Sequence, residues 1–314
     1  MGKRARLKRE RNARTPNDAF RHHFVTARYI GLFATPRGRE GKIHVRDHRR
    51  SKDWISKPER VAWAEDFYRV DGDAPLIVEH GLAEAEKPMV DAIEAIEKTL
   101  PLQPTPEQAD AVVSFVALQH VRGPEIRHEV ERFIGDTLRL MLEMSTATPE
   151  RYARLVERLR AEGKIGDAPP PYEKIRDLAL DPETRFSLNP GFVVPMIFKQ
   201  QDPVFRVIAR MELSFYIVPE GTEDLITGTR PVLLLPDPKL PPLLRGGLAT
   251  ALAIAMPLTP RFLFIARPRD HRIPIARAGS ALVRMVNRAI ERQSEQTFSR
   301  APRGRAHGSL GTHR

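Results

Sequence analysis

Two glutamates occupy a helical stripe that is otherwise apolar. The stripe follows a three- and four-residue spacing and comprises Glu79, Leu82, Glu86, Met89, Ile93 and Ile96. Pro88 within it predicts a kink or a restart of the helix. A carboxylate on a buried face needs a cation, a proton or hydrogen-bond donors. The pair therefore predicts a site where Glu79 and Glu86 hold a divalent metal ion or share a proton for acid–base chemistry.

A second predicted helix supplies partners for these carboxylates. It begins near Glu107 behind Thr105 as the N-cap, and its inward stripe ends in Gln119 and Arg122. The connection between the two helices is short, so we expect an antiparallel hairpin. This packing brings the start of the first helix next to the end of the second. Both stripes then converge on one polar cluster.

The same cluster has a purely structural interpretation. Arg122 would neutralise one glutamate and Gln119 would form a hydrogen bond to the other, and such buried networks also occur without catalytic function. Both interpretations predict that loss of Arg122 destabilises the protein. The sequence leaves them open.

His23 is the remaining candidate, as a general base, a metal ligand or a buried structural histidine, and the neighbouring His22 is expected at the surface. Glu125 and His128 have the spacing of half a di-iron motif, but the second half does not occur in the sequence. The glycine-rich nucleotide-binding signatures and the G-x-S-x-G elbow are also absent from it. The commonest nucleotide-binding and hydrolase motifs are therefore excluded.

The order of predicted elements indicates an α+β fold. Helices dominate residues 61–211, and short, mainly antiparallel strands dominate residues 212–295. A helix from Pro124 to about Met144 carries an apolar stripe that we expect in the core. We predict one domain over residues 15–295, between a disordered basic arm at 1–14 and a disordered basic tail at 296–314.

Charge and composition limit the classes of partner. The net charge is +11, of which residues 1–14 carry +6 and residues 296–314 carry +4, so the body is nearly neutral. The two tails are candidates for contacts with nucleic acid or other acidic partners. The chain has no cysteine and no apolar run long enough to span a bilayer, which fits a cytoplasmic protein.

Several motifs together resemble the bacterial family of domain of unknown function 4238, from about residue 20 to 290. The resemblance rests on these segments: His23-Phe24-Val25, Phe67-Tyr68, Glu79-x2-Leu82-x3-Glu86, Phe115-x3-Gln119-x2-Arg122-x-Pro124, and Pro257-Leu258-Thr259-Pro260. It implies a shared motif set and an uncharacterised activity.

The sequence departs from the family pattern at three places. Thr26 stands at the usual proline after the opening motif, and Gly123 replaces a threonine. The hairpin at 227–231 reads Thr-Gly-Thr-Arg-Pro where the family usually has Thr-Ser-Asp-Asn-Pro. If that aspartate is a ligand or base in the family, this chain has an altered or lost activity.

Two classes of function follow from these observations. The first is a metal-assisted hydrolase that uses His23, Glu79, Glu86, Gln119 and Arg122, with phosphodiesters as candidate substrates. The second is a binding or regulatory module whose polar cluster is structural and whose basic tails contact nucleic acid or acidic partners.

Overall fold

A computed structural model describes residues 21–70, 76–166, 168–186, 188–268 and 275–302. The predicted basic arm at 1–14 and most of the predicted tail lie outside these residues. Where one domain was expected, the described chain divides into two compact units. The larger unit contains residues 21–123 and 198–302, and the smaller unit contains residues 124–197.

The first part of the larger unit builds a small β-layer and a helical hairpin. Its elements are β1 (Arg21–His23), α1 (Ala27–Ile30), β2 (Ile43–Asp47), β3 (Lys52–Ser56), β4 (Trp63–Glu65), α2 (Ile77–Thr99) and α3 (Pro106–Val121). Short 3-10 helices at Gly31–Phe33 and Pro58–Arg60 complete it. Strands β1 and β4 pair antiparallel, with His23 opposite Trp63. This pairing fixes the position of His23 relative to the chain around Glu59 and Trp63.

The predicted helical hairpin is confirmed. Helix α3 begins at Thr105, whose hydroxyl accepts the Gln108 N–H, while the Gln108 side chain accepts the Thr105 N–H in a capping box. Helix α2 continues through Pro88 without ending there. Its buried residues are Leu82, Glu86, Val90, Ile93 and Ile96. The buried face therefore passes through Val90, whereas Met89 and Glu79 are only partly buried.

The smaller unit is helical and consists of α4 (Pro124–Ser145), α5 (Pro149–Ala161), α6 (Tyr172–Leu180) and the start of α7 (Pro190–Lys199). Thr148 caps α5, because its hydroxyl accepts the Arg151 N–H. The apolar stripe of α4 was expected in the core, and this expectation is wrong. No α4 residue is buried, and Phe133 and Met141 are 72% and 60% exposed. Apolar periodicity identifies an amphipathic helix, but it does not say whether another element covers the apolar face.

The last part of the larger unit contains most of the strands. Its elements are α8 (Gln201–Ala209), β5 (Glu212–Ile217), β6 (Thr227–Gly228), β7 (Leu233–Pro236), β8 (Ala251–Thr259), β9 (Phe262–Arg267), β10 (Ile275–Arg277), α9 (Ser280–Gln293) and β11 (Gln296–Arg300). Helix α8 packs on α3.

Two sheets organise these strands. The five-stranded sheet has the order β10-β5-β9-β8-β7, in which β10 runs parallel to β5 and the other pairs are antiparallel. The four-stranded sheet has the order β3-β2-β11-β6. Helix α9 packs on the first sheet through Val283, Val286 and Ile290. The predicted α+β class with mainly antiparallel strands is thus confirmed.

Strand β11 corrects the predicted boundary at residue 296. Residues 296–300 belong to the sheet, where Phe298 pairs with Val45 of β2 and with Thr227 of β6. Phe298 is fully buried, so the strand is held by an apolar side chain as well as by its backbone. The four arginines between residues 296 and 314 give this part of the chain the composition of a basic tail, so the strand was not predicted. Among the described helices, none is both long enough and apolar enough to cross a membrane.

Candidate active site

Arg122 is the centre of a buried polar cluster. It follows the last turn of α3 as the C-cap, where its backbone N–H donates to the Leu118 carbonyl. Only 2% of the residue is exposed. Its guanidinium donates to the Glu86 carboxylate, to the His23 carbonyl oxygen and, over 3.3 Å, to the Tyr68 hydroxyl. One cation therefore joins three separate chain segments.

Glu86 is the acidic partner of this cation and lies on the buried face of α2. It is 6% exposed, and its ion pair with Arg122 is enclosed on both sides. The tyrosine completes the enclosure, because the Arg122 guanidinium lies 5.6 Å from the centre of the Tyr68 ring. The Tyr68 hydroxyl in turn donates to the Arg122 carbonyl over 3.1 Å. Glu86 is thus enclosed together with its cation in a buried ion pair.

Glu79 lies two stripe positions closer to the start of α2, with Leu82 between it and Glu86, and has a different environment. The carboxylate accepts the backbone N–H of His23, while Oε2 is buried without a hydrogen-bond partner among the described residues. Burial raises the pKa of Glu79 to about 7, the Arg122 charge opposes that rise, and the Glu86 charge adds to it. Near neutral pH this carboxyl therefore exchanges a proton readily, unlike an ordinary glutamate.

His23 is held as a neutral imidazole. Its Nε2 lies 3.2 Å from the Glu59 carbonyl oxygen, and a carbonyl only accepts, so Nε2 carries the proton. Burial lowers the pKa of His23, and the positive charges of Arg122 and Arg39 act in the same direction, against the Glu59 hydrogen bond and the Glu86 charge. At neutral pH the Nδ1 atom keeps its lone pair and can accept a hydrogen bond or a proton.

Glu79 and His23 share a small pocket with the ion pair. The pocket has a volume of about 170 Å³ and is lined by His23, Thr26, Ala27, Arg28, Arg39, Glu79, Leu82, Ala83, Glu86 and Arg122. Four of the five residues predicted from the sequence therefore meet at one place.

Gln119 is the exception. It is 3% exposed, but neither atom of its side-chain amide has a hydrogen-bond partner in the described part of the chain, and it does not line the pocket. The hydrogen bond expected between Gln119 and a glutamate is not formed. The stripe correctly placed Gln119 inside the protein, but helical periodicity does not determine which neighbour a side chain contacts.

Two arginines at the pocket were missed by the sequence analysis. Arg28 pairs with Asp91 over 3.5 Å, whereas Arg39 is exposed and has no acidic partner among the described residues. Both come from the segment after β1, which has no periodic pattern that would orient a side chain. Only the packing of this segment against α2 brings them to the carboxylates.

The segment around His22 and Thr26 also differs from expectation. His22, predicted at the surface, is completely buried. Its ring stacks on Tyr68 with centroids 6.0 Å apart, and its Nδ1 accepts the Tyr68 N–H over 2.8 Å. Thr26 caps α1 by accepting the Arg28 N–H. A proline at position 26 would lose this cap, so the departure from the family pattern has a local structural role.

The two residues predicted to bind a divalent metal ion, Glu79 and Glu86, have different partners in the structure. Among the described residues, no group of three or more histidine, aspartate or glutamate side chains is placed to hold a metal ion. Glu86 is already neutralised by Arg122, so Glu79 is the one carboxylate of the pair without a bound cation. Within the described residues the pair therefore consists of one ion-paired carboxylate and one titratable carboxylate.

The altered hairpin at 227–231 lies away from the pocket lining. The Thr227 hydroxyl is 2.7 Å from the Tyr29 hydroxyl, and Thr229 accepts the backbone N–H groups of Glu295 and Gln296. None of the residues 227–231 lines the pocket. The substitutions in this hairpin thus change sheet contacts in this chain and leave the pocket lining intact.

Comparison with known proteins gives one match. The sequence model of the family described as Protein of unknown function (DUF4238) matches residues 21–301, which cover most of the chain and all the pocket residues. No curated protein and no solved structure matches the chain.

Proposed function

The chain belongs to the DUF4238 family, and we propose that this member is a hydrolase of phosphate esters or diesters that activates water with Glu79. The observation that carries the proposal is a convergence of groups. A carboxylate with an unpartnered oxygen and a neutral imidazole share one small pocket, next to an exposed guanidinium. Acid–base catalysis requires such groups within reach of one bound water.

Each group has a defined role in the proposed reaction. Arg39 binds the phosphate, because a guanidinium matches two phosphate oxygens at once. Glu79 accepts a proton from water while the water oxygen attacks phosphorus. The bond from phosphorus to the leaving oxygen breaks on the side opposite the attacking water, so that oxygen takes its proton from solvent and Glu79 releases its proton to solvent. His23 Nδ1 accepts a hydrogen bond from the water and orients it.

Arg122 and Glu86 position these groups. The Arg122 guanidinium donates to the carbonyl oxygen of His23. The backbone N–H of the same residue donates to the Glu79 carboxylate. The ion pair therefore anchors the backbone of His23 beside the base and the imidazole. The pKa of Glu79, raised to about 7 mainly by burial, supports the assignment because a general base works best near the operating pH.

The test is hydrolysis of para-nitrophenyl phosphate and bis-para-nitrophenyl phosphate across pH 5–9, with and without EDTA. Glu79→Gln should lower turnover by about 100-fold or more. Glu84→Gln, at an exposed position of the same helix, should leave turnover unchanged. Arg39→Met should raise KM more than it lowers kcat. Wild-type turnover should rise through about pH 7 as Glu79 ionises.

Two results would contradict the proposal. Equal turnover by wild type and Glu79→Gln would remove Glu79 as the base. Turnover that EDTA abolishes would show that a metal ion, rather than the carboxylate alone, activates the water. Binding of inorganic phosphate without turnover would instead indicate that the pocket binds phosphate but does not hydrolyse its esters.

A further inference from the structure

We propose that a second cavity in the larger unit binds an amphiphile with one apolar chain and a single carboxylate head, such as a medium-chain fatty acid. The cavity lies at the five-stranded sheet and the start of α9 and has a volume of about 740 Å³. It shares no lining residue with the pocket of Glu79. Its volume is within the usual range for small-molecule sites.

The walls of the cavity are mainly apolar. Strands β7, β8 and β9 contribute Leu235, Leu252 and Ile265, and α9 contributes Leu282 and Met285. Ile265 belongs to the buried core, while Leu252 and Met285 are 51% and 45% exposed. Apolar surface of this kind gains free energy when a hydrocarbon chain covers it. The cavity therefore favours an apolar ligand that reaches from the core to the surface.

Arg267, at the end of β9, places a positive charge on this apolar wall. Its guanidinium donates to the Tyr216 hydroxyl over 2.9 Å and lies 5.8 Å from the centre of that ring. A guanidinium has five N–H donors; Arg267 donates to Tyr216 and forms no ion pair within the described residues, where Glu212 is its cross-strand neighbour on β5. Arg261, at the start of the same strand, pairs with Asp224 over 2.8 Å. Arg267 is thus oriented by an aromatic ring and keeps donors for an anion.

The other polar side chains of the cavity are engaged locally. Asp237 Oδ1 accepts the Lys239 N–H over 2.9 Å, and the Thr250 hydroxyl donates to the Leu244 carbonyl over 2.6 Å. Arg267 is consequently the group with spare hydrogen-bond donors for a ligand. A carboxylate matches Arg267 because its two oxygens can accept two parallel N–H donors of one guanidinium. One carboxylate head group therefore pairs with this one arginine. The cavity opens to the surface beside Leu252 and Met285, so a single-chain ligand can lay its chain on the apolar wall with its head at Arg267.

The test compares two probes that differ only in the head group, decanoate and decanol, by titration calorimetry on the full chain. Wild type should bind decanoate more tightly than decanol. Arg267→Gln should weaken decanoate binding by about tenfold and leave decanol binding unchanged. Arg267→Lys, which keeps the charge but loses the fork, should give an intermediate loss.

Two further variants separate the cavity from the surface. Leu252→Trp fills the cavity at a position that is already half exposed and should weaken both probes. Leu243→Trp, at a residue that is 94% exposed and outside the lining, should change neither. Glu79→Gln should also leave decanoate binding unchanged, so failure of the proposed hydrolase activity does not affect this result.

Three outcomes would overturn the proposal. The first is that wild type binds neither probe. The second is that Arg267→Gln weakens the binding of both probes equally. The third is that Leu252→Trp binds both probes as tightly as wild type does. The first removes the ligand class, the second removes the head-group contact, and the third removes the cavity as the site.

Discussion

Replacing Glu79 by glutamine should stabilise the protein more at pH 8 than at pH 5. The pKa of this carboxyl rises from 4.5 in the unfolded chain to about 7 in the folded protein, chiefly through burial. Between these two values the folded state binds more protons than the unfolded state, so wild-type stability falls as pH rises. Glutamine is neutral and nearly isosteric with glutamate, so the variant does not lose stability through this carboxyl as the pH rises.

The expected size follows from the pKa and the burial. At about 1.4 kcal/mol per pKa unit, a fully buried carboxyl with this pKa would lose about 3 kcal/mol above pH 7. Glu79 is only partly buried, and solvent screens part of the effect. We therefore expect the gain from Glu79→Gln to be larger at pH 8 than at pH 5 by roughly 1–2 kcal/mol.

The assay is urea unfolding of wild type and Glu79→Gln at pH 5 and at pH 8. The stability difference between the two proteins is determined at each pH, and the value at pH 5 is subtracted from the value at pH 8. This comparison cancels the constant effect of changing the side chain. Glu84→Gln on the exposed face of α2 is the matched control and should show no pH-dependent difference. A gain for Glu79→Gln that is equal at both pH values would refute the argument that burial raises its pKa.

Three further predictions concern stability. Arg122→Met should cost about 3–5 kcal/mol in urea unfolding because it leaves Glu86 buried without a cation, and adding Glu86→Gln should recover much of that loss. Gly228→Ser, which restores the usual family residue, should destabilise by about 1–3 kcal/mol, since the new Cβ would lie 2.4 Å from Ser294 Oγ. Tyr29→Phe should cost about 1–3 kcal/mol because the buried hydroxyl bonds Thr227 and the Pro257 carbonyl.

Each of these has an outcome that contradicts it. Additive losses in the Arg122→Met/Glu86→Gln double variant would show that the two residues do not act as a pair. Gly246→Ala has open space around its Cβ, so a loss as large as that of Gly228→Ser would point to a backbone effect rather than a clash. A neutral Tyr29→Phe would mean that its hydroxyl does not contribute net stability.

The candidate site was predictable where it depends on helices. The spacing of Glu79 and Glu86, and of Gln119 and Arg122, identified two faces, and the short connection made the helices antiparallel. Together these features were sufficient to bring Arg122 to Glu86. Arg39 was not predictable, because its segment has no regular period and reaches the pocket only through tertiary packing.

The different states of the two glutamates also depend on the tertiary structure. Both lie on one stripe of α2, but Arg122 contacts Glu86, while Glu79 accepts a backbone N–H from β1 and keeps an unpartnered oxygen. His22 and His23 show the same principle, since one stacks inside the core and its neighbour faces the pocket. Adjacent residues of similar type acquire different chemistry from their surroundings.

The sequence by itself determined the α+β class, the helical hairpin with its Thr105 cap, and the convergence of Glu86 and Arg122, because these follow from local periodicity and chain connectivity. Tertiary structure alone decided that β11 completes a sheet, that the apolar face of α4 stays exposed, and that a metal ligand set is absent from the described residues. The physical reason is that burial, ion pairing and strand partners depend on contacts between residues far apart in the chain, which local spacing does not encode.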